Sequence, residues 1–95
     1  VTPIYPRRAQ ERGIQGYSIV AFTITETGTV EDVVPLEGFC GDPTDPATEY
    51  RKCSIFNSAA SRAALKLKYK PKIVDGNAVK VYDVPHKFTF ILEDL

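Results

Sequence analysis

Residues 54–71 read SIFNSAASRAALKLKYKP, and the period of this stretch decides the fold. Phe56, Ala60, Ala63, Ala64 and Leu67 recur at steps of three and four, which gathers them on one side of an α-helix. The spacing predicts a helix over 55–69, with Ser54 as N-cap. Arg62, Lys66 and Lys68 fall toward its C-terminal end, where cations oppose the helix dipole. Pro71 forbids continuation and pushes Lys70 out of helical geometry. The alanines on the apolar side let such a helix lie close to a sheet.

Outward from the helix the period drops to two. Upstream, Tyr17–Thr25 (YSIVAFTIT) is rich in β-branched and aromatic residues. Its alternation puts Ser18, Val20, Phe22 and Ile24 on one face and Tyr17, Ile19 and Ala21 on the other. Glu26-Thr27-Gly28-Thr29 supplies a turn, and Val30–Leu36 reads as the returning strand of a hairpin. Pro35 marks the end of that strand or an edge position. Downstream, Asp75-Gly76 makes another turn, and a long strand is expected from Val79 to Leu92. Before the hairpin, Pro3, Pro6, Gly13 and Gly16 surround a short helical segment, Arg7–Arg12.

The order β-β-α-β defines an α+β fold. After the helix the third strand can pair antiparallel with the first or parallel with the second. Antiparallel pairing is commoner and slightly stronger per residue. The expectation is a three-stranded antiparallel sheet of order 2-1-3, with one main helix on one face. The other face is left partly open, with Tyr17, Ile19 and Ala21 on it.

Composition narrows the class. The chain has 95 residues, 43 % of them hydrophobic, enough for one modest core and one domain spanning 1–95. Lys plus Arg and Asp plus Glu number 12 each, so no net charge draws the chain to nucleic acid or anionic lipid. No apolar run approaches the ~20 residues that span a bilayer. The chain starts at Val1 with no signal peptide pattern, which suggests a domain excised from a longer, membrane-anchored protein.

Two cysteines, Cys40 and Cys53, bracket a loop dense in Gly, Pro, Asp and Thr. A disulfide between them implies an oxidising compartment, such as the periplasm. The alternative, two unrelated thiols with one of them buried, stays open at this level.

No catalytic constellation assembles. His86 is the one histidine, set between Pro85 and Lys87 in a strand, with no Ser or Cys identifiable as partner. Cys40, Cys53, Asp42 and Asp45 lack metal-ligand spacing. The glycines mark turns and match no phosphate or cofactor motif. Lys66, Lys68, Lys70 and Lys72 surround Tyr69, which suits a solvated helix end better than a nucleic-acid surface when net charge is zero. The chain reads as a binding module rather than an enzyme, with no cofactor and no metal.

The punctuation resembles a known family. The opening PIYPRRAQERGIQG is similar to the signature of the TonB C-terminal domain, with Pro3, Tyr5, Pro6, Ala9, Gly13 and Gly16 in place. Phe22 and Gly28-Thr29-Val30 match the end of the family's first strand and its turn. Phe56, Ala60, Ala64 and Tyr69-Lys70-Pro71 match its helix, and Asp75-Gly76 with Phe88 and Phe90 its last turn and strand. The likeness runs over residues 3–92. The Cys40–Cys53 loop is longer than the family pattern, as is the final strand.

The resemblance implies a periplasmic domain of an energy transducer anchored in the inner membrane beside the ExbB–ExbD proton channel. Such a domain grips the TonB box, a short extended segment of an outer-membrane receptor, and couples proton-motive force to uptake of iron chelates or vitamin B12. Arg8 and Gln10 match the family stretch that touches the box. The residues add their own argument for the last strand. Proline has no N–H, so Pro85 belongs where the main chain faces a free edge. By alternation Lys87, Thr89 and Ile91 face outward too, while Phe88 and Phe90 pair inward and fill the core. An edge of this kind accepts an extended peptide or a second copy of the chain, giving a homodimer. Two other classes fit the same order of elements: an envelope module similar to the TolA C-terminal domain, and a secreted cystatin-like inhibitor.

Overall fold

In the computed structural model, residues 1–93 are described. A short helix α1 (Arg7–Glu11) leads into β1 (Gly16–Ile24), β2 (Val30–Cys40), a two-residue β3 (Arg51–Lys52) and the main helix α2 (Asn57–Ala64). A small hairpin, β4 (Lys72–Val74) and β5 (Asn77–Val79), then precedes β6 (Val81–Phe90). The main sheet is antiparallel with order β3-β2-β1-β6. The expected 2-1-3 arrangement is therefore present in β2, β1 and β6, with β3 added outside β2.

The core lies between this sheet and α2. Val20, Phe22 and Ile24 of β1 meet Phe56, Ala59, Ala60, Ala63 and Ala64, with Phe88 and Phe90 from β6. The alanine side of α2 is buried as its spacing requires. Ser18 shares this face and is fully buried, and its hydroxyl donates to Asn57 Oδ1 at 2.9 Å. That bond fixes the start of α2 over β1 and meets the cost of burying a hydroxyl.

Several boundaries differ from the sequence expectation. The helix ends at Ala64, not 69: Lys66 and Leu67 bond back to the Ala63 and Ala64 carbonyls in a turn, and 67–70 leave the helix. Leu67 and Tyr69 turn inward against the core while Lys66, Lys68 and Lys70 are exposed. Tyr69 donates its N–H to the Gly28 carbonyl at 2.9 Å. Gly28 holds φ +86°, and an added Cβ there would overlap the Tyr69 carbonyl, so this crossing of chain over turn needs glycine. Ser54 does not cap α2. The cap position is Phe56, without a side-chain bond, and Ser54 instead accepts the Asn57 N–H through its carbonyl.

Pro35 does not end the second strand, which runs on to Cys40. Pro35 stands opposite Val20 and Glu37 opposite Ile19, so Leu36 is an extra residue that lets the strand continue. Both neighbours of β1 are also irregular beside Phe22 and Thr23, and each contains an aspartate in the left-handed region, Asp32 at φ 54° and Asp83 at φ 55°. Aspartate tolerates that conformation better than most residues. The expected long strand from Val79 to Leu92 is split: Val79 closes the β4–β5 hairpin, β6 ends at Phe90, and Leu92 lies beyond it.

The cysteines are joined, Cys40 to Cys53, with Cα atoms 5.7 Å apart. The bridge sits beside β3 and holds Arg51–Lys52 against Phe39 and Cys40. The loop it closes folds Tyr50 onto Tyr17 and Phe39, ring centroids 5.1 and 6.4 Å away. Tyr17 is therefore half-buried; Ile19 is also half-buried and Ala21 buried, although α2 lies on the opposite face.

Candidate functional site

β6 pairs with β1 on one side only, so its other side is an edge of the main sheet. The register sets Ala21 opposite Pro85, Ile19 opposite Lys87, Tyr17 opposite Thr89 and Gly16 opposite Phe90. Pro85 can donate nothing to β1, so its position is one whose main-chain groups face away. Alternation then gives Lys87, Thr89 and Ile91 the same outward direction, and turns His86, Phe88 and Phe90 toward β1.

Two further observations fit this parity. Leu92, next in the inward series, donates its N–H to Gln15 Oε1 at 2.7 Å. Gln15 immediately precedes Gly16, the first residue of β1, so the side chain extends the ladder one step past the strand's end. On the other flank Val20, directed toward His86, stands opposite Pro35 of β2, where no donor is required.

The row is backed by aromatic packing. Phe90 stacks on Phe56 with centroids 4.4 Å apart, and Tyr5 closes edge-on against both rings at 5.7 and 5.8 Å. The Tyr5 hydroxyl donates to the Ile14 carbonyl, and burial raises its pKa above the usual value. On the open face Lys87 Nζ lies 4.3 Å above the Tyr17 ring. Thr89 and Ile91 are exposed, and the His86 ring rests on Phe88 at 4.4 Å.

Arg8 and Gln10 are exposed on either side of the buried Ala9. Both ends of their segment are tied to the end of β6, Tyr5 to Phe90 and Gln15 to Leu92. This puts α1 at the Ile91 end of the edge; neither Arg8 nor Gln10 is brought into a hydrogen bond with the strand. Gln15 was missed by sequence reasoning, since nothing local marks a glutamine whose partner is 77 residues away. Tyr5 was read only as a signature residue, and its place between Phe56 and Phe90 had no sequence signal.

A β-hairpin completed by a third antiparallel strand, with one helix across one face and an open edge, defines a small α+β module of recognisable type. A family model described as "Gram-negative bacterial TonB protein C-terminal" matches residues 1–38. Protein TonB of Pseudomonas aeruginosa is 32 % identical over 77 residues, which is 81 % of this chain. The chain spans only 19 % of that protein's length. The solution NMR structure of the Pseudomonas aeruginosa TonB C-terminal domain superposes with TM-score 0.69 at 30 % identity, covering 100 % of this chain and 83 % of that one. The TonB2 protein of Vibrio anguillarum gives TM-score 0.63 at 31 % identity, over 99 % and 77 %. This chain belongs to the TonB C-terminal domain family.

Proposed function

We propose that this domain is the periplasmic end of a TonB-type energy transducer, a binding module rather than an enzyme. It takes the TonB box of an outer-membrane receptor as an added strand beside β6. The observation that carries this reading is the outward row Lys87, Thr89 and Ile91 on an edge strand, framed by Pro85 and by the Leu92–Gln15 bond. Unpaired main-chain groups at such an edge give affinity for an extended peptide, and side chains on alternate faces give selectivity. Arg8 and Gln10 contact the part of the peptide that passes the Ile91 end.

The work of uptake requires a pull, and an antiparallel ladder bonded along its whole length resists one better than scattered contacts. That pull comes from proton-motive force, through an ExbB–ExbD complex engaged by the remainder of the transducer in the inner membrane. The disulfide suits the oxidising periplasm. The same edge pairs two copies of the domain into a homodimer when no peptide is present.

Titration with a synthetic TonB-box peptide, followed by isothermal calorimetry and by amide chemical shifts along residues 85–92, tests this reading. Saturable binding with the largest shifts at Lys87, Thr89 and Ile91 is expected. Binding that leaves the β6 amides unmoved overturns it.

A further inference from the structure

Between Glu49 and Asp75 the sequence has no acidic residue and seven basic ones, in a chain whose charges cancel overall. Five of the seven, Arg62, Lys66, Lys68, Lys70 and Lys72, fall within 62–72, and all five are exposed. The ion pairs among the described residues are Arg7–Glu11 and Lys80–Glu31, so none of the five is neutralised there. Nor is the strip loosely held: Leu67 and Tyr69 are packed on the core, and the Tyr69 N–H is bonded to Gly28. With Leu67 and Tyr69 turned to the core, Lys68 and Lys70 between and after them are left on the outside.

Exposed aliphatic side chains lie at both ends of this strip. At one end a groove of about 280 Å³ has Ile4 and Leu65 beside Arg62 and Lys66, with Ile4 76 % and Leu65 56 % exposed. At the other the β4–β5 hairpin presents Ile73 and Val74, 61 % and 43 % exposed. A row of cations flanked at both ends by bare aliphatic side chains on one rigid strip is what an interfacial membrane contact requires. An acidic protein partner would be served by the lysines alone and gives no reason for the bare aliphatics.

We infer that residues 62–74 form a docking strip for an anionic lipid surface. Lysines lie against headgroup phosphates, and Leu65 and Val74, the latter on the same face of β4 as Lys72, enter the interface. Asp75, the one acid here, sits at the hairpin turn with φ 50°. Its charge opposes tip-first insertion, so the hairpin lies side-on. The strip is separate from the outward row of β6 and is independent of what β6 binds.

Co-sedimentation of the 95-residue chain with phosphatidylcholine vesicles, with and without phosphatidylglycerol, tests this. Binding is expected only when phosphatidylglycerol is present, and to weaken with salt. Substituting Lys66, Lys68, Lys70 and Lys72 by Gln should lower partitioning roughly fivefold per lysine while circular dichroism and Tm stay unchanged. Leu65→Ser with Val74→Ser should weaken binding and leave its salt dependence. Inorganic phosphate should compete no better than chloride at equal ionic strength; stronger competition reassigns the strip to free phosphate and overturns the inference. So does equal binding to neutral vesicles, or undiminished binding by the four-lysine variant. Binding to polyglutamate without binding to vesicles assigns the strip to an acidic protein and overturns it as well.

Discussion

The main-chain N–H of Leu92 donates to the side-chain oxygen of Gln15 at 2.7 Å. A side chain thus takes the place of the strand residue that β1 no longer supplies, and the end of β6 is held where a bare strand end would fray. Replacing Gln15 with Ala leaves a part-buried N–H without that acceptor. The expected cost is about 1 kcal/mol, or a Tm lower by roughly 4–8 °C for a domain of this size. Hydrogen exchange at the Leu92 amide reads the bond directly, and protection equal to wild type would show that it contributes nothing.

Proline scanning of β6 separates its two sides. Thr89 is exposed and its main chain faces out. Thr89→Pro should give a folded domain that has lost peptide binding and, in sedimentation, self-association. Phe90 is 2 % exposed and stacked on Phe56. Phe90→Pro removes an inward donor and a core ring, costing several kcal/mol, about enough to unfold a marginally stable domain. A folded Thr89→Pro variant that binds as tightly as wild type refutes the edge assignment.

Reduction of the Cys40–Cys53 bridge should weaken the domain without unfolding it. The cysteines are 13 residues apart, and the entropy model gives about 3 kcal/mol for a loop of this order. That corresponds to a Tm lower by roughly 12–24 °C. Near-native far-ultraviolet circular dichroism should persist, since the β1, β6 and α2 contacts lie outside the loop. Collapse of the spectrum at room temperature on adding reductant contradicts this.

Gly28→Ala should be among the costlier alanine substitutions. The residue holds φ +86°, and its added methyl would overlap the Tyr69 carbonyl. Left-handed strain together with a displaced crossing costs about 1–3 kcal/mol. Because the Tyr69 ring lies tilted against Phe22, centroids 6.0 Å apart, the Tyr69 ring resonances should shift in the same variant. A denaturant midpoint within error of wild type argues against the crossing as drawn.

Tyr5 makes stability fall at alkaline pH. Burial raises its pKa above 10.0, so the folded state holds the phenolic proton more tightly than the unfolded state does. The stability it contributes is fully present below the unfolded pKa of about 10 and is lost as pH rises through the folded value. Tyr5→Phe loses the bond to Ile14 at neutral pH but should decline less steeply above pH ~10. Parallel alkaline profiles for the two proteins would show that another group governs the loss.

The β1 hairpin and the alanine face of α2 were legible because each repeats its period several times. The helix end was not, since Leu67 satisfies both the helical step from Ala63 and Ala64 and the two-residue alternation of KLKYK. β3 gave no signal: Arg51 and Lys52 are both exposed and are placed by main-chain pairing beside a disulfide. Pro35 misled because Leu36 supplies the extra residue that carries the strand past it. At the edge, the absent N–H of Pro85 sufficed to assign directions along β6. Gln15 stayed invisible, because a long-range side-chain acceptor leaves no pattern in its neighbourhood.

The two borders of the sheet differ in valency. β2 is covered by β3 at Phe39 and Cys40 and interrupted at Leu36 and near Asp32, with a proline between. β6 runs regularly from Val84 to Phe90. Growth by strand addition needs two usable borders per copy, and among the described residues the main sheet has one. Self-pairing through β6 therefore terminates at two copies instead of propagating into a fibre. In the proposed dimer each copy would have its β6 border covered by the other, so an arriving peptide would have to displace a partner before it could add its own strand.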